Sequence, residues 1–220
     1  MGASLCAAVP LSQTTLQPLF ERLRDLALAP ELAAQLNGPA ALCWYGQSRL
    51  HTPLLVTRLS GANPQLDTQL AQVFAQMIGA YEEKVEGGRF PIEYSASAAT
   101  SRWSRVVGSS YGPHPAADFD KPEFLSNDHY FRVALARHGE TLLFSLDDAL
   151  VDKALAVGDQ RFPPLAEQLP KNASAPAYLA SDSLATLLEN EALQSLPAEL
   201  EPIFRNAAES HLLPKLRALG

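Results

Sequence analysis

Arg137-His138-Gly139-Glu140-Thr141 has the residue order of the histidine-type phosphatases. In that chemistry an imidazole accepts a phosphoryl group while arginines converge on the anion. The setting matters as much as the letters. A strand must run through the motif into a helix, and a second histidine must approach from a late turn. Here Phe131, Val133 and Leu135 alternate before the motif, and Leu142, Phe144 and Leu146 alternate after it. Two alternating runs around a glycine-containing turn describe a β-hairpin. The pattern predicts that residues 130–137 and 141–146 pair, with His138-Gly139 in the turn. His138 is then exposed, and Arg137 and Glu140 flank the turn as a surface pair. His211, the late histidine, lies in helical context.

Gly108-Ser109-Ser110-Tyr111-Gly112 matches G-x-S-x-G, the turn on which serine hydrolases expose a nucleophile. A strand precedes Ser110, but Pro113 and Pro115 leave no room for the helix that should follow. The stretch 114–129 gathers His114, Asp118, Asp120, Glu123, Asp128 and His129. Hard cations need several convergent oxygens, and no calcium-loop spacing or central glycine is present. A solvated acidic loop is the expectation. Asp147-Asp148 could act as a carboxylate pair, yet one of them is accounted for as a helix cap. Trp44, Tyr45, Trp103 and Tyr111 fall near strand ends and are expected to pack in the core or along edges. Asn172-Ala173-Ser174 is a glycosylation sequon by its letters alone. No catalytic, cofactor-binding or metal-binding residue is therefore assigned. A hydrolase, either a phosphatase using His138 or an esterase using Ser110, is the alternative to a non-catalytic domain.

The elements that position these residues follow from apolar periodicity. Residues 4–11 read as a buried strand, and 12–28 as a helix. Residues 40–60 read as two strands around Gly46-Gln47. Leu66, Leu70, Val73, Phe74, Met77, Ile78 and Tyr81 fall on one face of a helix spanning 63–84. Strands are expected over 89–97 and 101–110. After the hairpin, a short helix over 147–158 is capped by Asp147 or Asp148. A strand at 177–181 leads into a helix, and the chain ends in helical segments broken by prolines. The expected class is α+β, one domain over residues 1–220, with a mixed, mostly antiparallel sheet and helices on one face.

The 220 residues suffice for a real core. At 47% hydrophobic and 19% charged, the chain is globular in composition. Its net charge of −7 argues against nucleic-acid binding, which needs a basic face. Residues 1–13 carry neither a signal peptide nor a lipoprotein start, since Leu5 precedes Cys6. The chain is expected to be part of a longer protein. Cys6 and Cys43 sit in apolar runs without metal spacing. They are either two buried thiols or a disulfide between adjacent strands, the latter requiring an oxidising compartment.

Residues 4–11, 41–59 and 134–155 resemble a family of bacterial envelope proteins encoded beside alpha-2-macroglobulin-like proteins. The resemblance lies in apolar strands and turns and supplies no catalytic residues. It implies a protein partner in the envelope, and membrane attachment only through segments outside this chain. It also implies a periplasmic or periplasm-facing location rather than a cytoplasmic one, where a Cys6–Cys43 bond would be favoured.

Overall fold

The structure is a computed structural model, and it describes residues 5–10, 35–36, 39–45, 48, 52–61, 65–82, 90–108, 130–158, 177–189 and 206–218. Eight strands form one sheet: β1 (Leu5–Pro10), β2 (Pro39–Trp44), β3 (Leu54–Arg58), β4 (Glu93–Ala96), β5 (Thr100–Gly108), β6 (Tyr130–His138), β7 (Thr141–Ser145) and β8 (Ala177–Leu179). Their spatial order is β4-β5-β6-β7-β3-β2-β1-β8, and every described pairing is antiparallel. Among the described residues, four helices with full bounds accompany it: α1 (Leu66–Glu82), α2 (Asp148–Gly158), α3 (Ser181–Leu188) and α4 (Leu213–Ala218), the last continuing a π-helical turn at Ala208–Leu212. The α+β class expected from the sequence is the class observed. The helix expected over 12–28 and the acidic loop expected over 114–129 lie outside the described residues.

α1 and α2 pack on opposite faces of the sheet rather than sharing one. The apolar stripe of α1 (Leu66, Leu70, Val73, Phe74 and Ile78) packs with Trp103, Val107, Val133, Leu135 and Leu142. Leu150 and Val151 of α2 pack with Ala134, Ala136, Leu143 and Leu54. Successive strand residues point to opposite faces, so these clusters lie on opposite sides. β6 is the strand buried from both sides: Val133 to Arg137 are all at most 7% exposed. Ala134 and Ala136, at 0%, present only methyl groups to α2 and let it approach closely. The continuous apolar run 133–136 is the sequence mark of a doubly covered strand. The alternation of Phe131, Val133 and Leu135 described only one of its faces.

α2 begins as expected. Asp147 caps it, its Oδ1 accepting from the Ala149 N–H at 3.0 Å. Asp148 is released for another role. No described helix is long and apolar enough to cross a membrane.

Candidate functional site

His138 closes β6, and its partner across the hairpin is Thr141. Gly139 and Glu140 form the turn, with Gly139 at φ +57°. Both favoured two-residue hairpin turns need positive φ at that first position, which glycine adopts without steric cost. The Gly139 N–H donates to the Ala99 carbonyl at 2.9 Å, and the Glu140 carbonyl accepts from the Leu59 N–H at 2.7 Å. The turn is thereby tied to strands on both sides. No helix begins at Thr141, so the strand-to-helix setting of a phosphatase is absent.

The side chains around His138 differ from the expectation. His138 is half-buried, with Nδ1 2.8 Å from the Thr100 hydroxyl and its ring against Gly158 at the end of α2. Arg137 points to the opposite face, as alternation requires. It is buried and does not pair with Glu140. Its guanidinium grips Asp67 in the first turn of α1, Nε to Oδ1 at 2.5 Å and Nη2 to Oδ2 at 2.8 Å. Ser101 adds a hydroxyl bond to Asp67 Oδ2 at 2.5 Å. The Arg137 hydrogen bond holds the Asp67 carboxyl below its ordinary range, against the upward pull of burial. Glu140 instead faces exposed Arg58 at 3.5 Å. With Arg137 committed to Asp67, its guanidinium is turned away from His138.

A second charged group lies on the α2 face. Arg102 donates to Asp152 at 2.9 Å, to Asp148 at 3.2 Å and to Ser104 at 2.9 Å. Arg132 donates to Glu93 at 2.5 Å and stands 3.7 Å from Asp148. Burial pushes the Asp148 carboxyl up, despite the arginines that pull it down. Glu93 is lowered chiefly by the Arg132 hydrogen bond. Each charge has an opposite neighbour, which makes this a clamp fixing α2 and β4 to the sheet. Among the described residues, no group of three or more His, Cys, Asp or Glu is arranged to hold a metal ion. Ser110 and the acidic stretch 114–129 lie outside the described residues.

Among the described residues, β4 and β8 are the two strands that end the sheet. β4 ends the sheet and all four of its residues are exposed. Tyr94 is 57% exposed and leans on buried Trp103, ring centroids 5.5 Å apart. The Ser97 N–H donates to the Thr100 carbonyl at 2.8 Å. Backbone groups alternate along an antiparallel strand, so Glu93 and Ser95 also point inward to β5. The N–H and C=O groups of Tyr94 and Ala96 therefore point outward. Sequence reasoning placed strand β4 but not its edge position, which no local pattern encodes. Toward the other end of the strand order, next to terminal strand β8, Cys6 and Cys43 face each other across β1 and β2 and are joined as a disulfide.

A family described as "Uncharacterized protein conserved in bacteria (DUF2138)" matches residues 1–220. The chain is also 40% identical, over 219 residues, to the "Uncharacterized protein YfaA" of Escherichia coli (strain K12). That match takes in 100% of this chain and 38% of the relative, so the chain spans well under half the relative's length. No solved structure matches.

Proposed function

This chain belongs to the DUF2138 family of uncharacterized proteins conserved in bacteria, and on that premise we propose that it is a non-catalytic, periplasm-facing domain that binds protein or peptide along β4. The observation that carries the reading is the exposed edge, with backbone groups of Tyr94 and Ala96 directed outward. An extended segment laid there would continue the antiparallel ladder, main chain to main chain, and Tyr94 would supply a side-chain contact. The Cys6–Cys43 bond supports the compartment, because disulfides persist where the surroundings are oxidising. The resemblance to envelope proteins encoded beside alpha-2-macroglobulin-like proteins supports the same setting. In this reading the partner is a protein of the envelope, not a nucleic acid, and membrane attachment comes from segments outside this chain.

The test is capture from envelope extract under mild cross-linking, with wild type, Tyr94→Ala and Ala96→Pro compared. Proline at 96 removes an outward N–H without touching the β4–β5 ladder. A partner held by wild type and lost by Ala96→Pro is the expected result. No partner, or one held equally by both variants, overturns the edge reading.

A further inference from the structure

We propose that the space between the second half of α1 and the sheet is a binding site for the alkyl end of a single-chain amphiphile. α1 is pinned at its first turn, where Asp67 meets Arg137. Further along, the helix spans a cavity of ≈ 190 Å³ that is partly open to the surface. Met77 and Phe74 form its roof, and Phe131, Val133, Phe144 and Leu146 lie among the residues of its floor and walls. Its described lining residues are all apolar, and among the described residues no hydrogen-bonding side chain reaches in. Protein interiors leave few voids larger than a water molecule, and this one exceeds that by several-fold. An engineered apolar cavity of about 150 Å³ stays dry and takes up benzene. The same physics applies here.

The lining sets the chemistry of the occupant. A dry wall gives no partner to a hydroxyl, carboxylate or amide, so the inserted part must be hydrocarbon. Three phenylalanines and a methionine give adaptable apolar walls that suit a flexible unbranched chain. The polar head of the ligand then stays at the open side, in water. The inference is independent of the β4 edge, which lies at a different part of the sheet.

Calorimetric titration of the purified chain with n-octanol, and with the corresponding α,ω-diol, tests it. The monoalcohol is expected to bind at one saturable site. The diol, forced to bury a hydroxyl without a partner, should bind about tenfold or more weakly. Met77→Trp, which fills the slot, should abolish octanol binding while the Tyr94→Ala variant keeps it. Should Met77→Trp not fold, Leu146→Trp at the wall serves instead. Methyl NMR of the wild type gives a readout without any variant: octanol should shift Met77, Val133 and Leu146. Absence of saturable binding, equal binding of the diol, or shifts confined to other methyls overturns the proposal. So does octanol binding that a folded, filled variant retains. Co-sedimentation with phosphatidylglycerol vesicles that is lost with Met77→Trp, without octanol binding, would assign the slot to a membrane lipid and overturn the single-chain reading.

Discussion

Arg137 brings a full charge onto the core-facing side of β6, and Asp67 is what keeps it there. Their side chains are only 8% and 18% exposed, so each would be costly alone. Arg137→Ala is expected to destabilise the fold by about 3 kcal/mol, because it strands a poorly solvated carboxylate. Replacing both partners with apolar residues of similar size should cost much less, and urea unfolding of the three variants checks the contrast. The pair also fixes a pH dependence. Asp67 titrates below its ordinary value in the folded state, so its contribution is complete above the unfolded value of about 4. It is lost as pH falls through the folded value. The stability gap between wild type and Asp67→Asn should therefore close on acidification. A gap that widens in acid would mean that Asp67 is not the anionic partner. Arg137 itself was visible in the sequence, but as part of a surface turn. Its partner lies 70 residues away, and no local pattern joins them.

The hairpin of β6 and β7 is the element whose outline was clearest in the sequence, and its turn now yields a sharper expectation. A Cβ at Gly139 would meet nothing within 4 Å, so the cost of a side chain there is purely conformational. Gly139→Val should lose about 1–2 kcal/mol from the left-handed backbone alone. Gly139→Asn should lose less, since asparagine tolerates that region. Equal losses in thermal unfolding would point to a turn that has relaxed to negative φ. At the other end of His138 the element contacts are tighter. A Cβ on Gly158 would lie 3.1 Å from His138 Cδ2. Gly158→Ala is expected to perturb the wild type but not the His138→Ala background. The coupling in that double-mutant cycle should be about 1 kcal/mol. Zero coupling would separate α2 from the hairpin. His138→Ala alone should cost about 1 kcal/mol for the Thr100 hydrogen bond, more than an exposed histidine would.

At the scale of the whole molecule, the disulfide joins positions 37 apart in sequence and fastens β1 to β2 near one side of the sheet. Closing a loop of that length stabilises chiefly through the unfolded chain, by about 4 kcal/mol in the loop-entropy account. Reduction, or the Cys6→Ala Cys43→Ala double variant, should lower the urea midpoint accordingly. A variant as stable as wild type would show that Cys6 and Cys43 are unbonded thiols in the native protein.

The sequence by itself determined the strands, α1, the capped start of α2 and the β6–β7 hairpin. Each is written in residues a few positions apart, where the periods of 2 and 3.6 and the needs of one glycine operate. The same local reading set aside His138 as a nucleophile, since the alternation on either side of it left no helix for the motif to enter. Tertiary structure decided the rest. It chose which face each helix covers, since an apolar stripe carries no address beyond its own hydrophobicity. It brought Asp67 to Arg137, placed β4 at an edge and Cys6 opposite Cys43, and left a gap beneath α1. All of these depend on strand order across the sheet, and that order follows from packing the two faces together, through contacts between residues far apart in the chain.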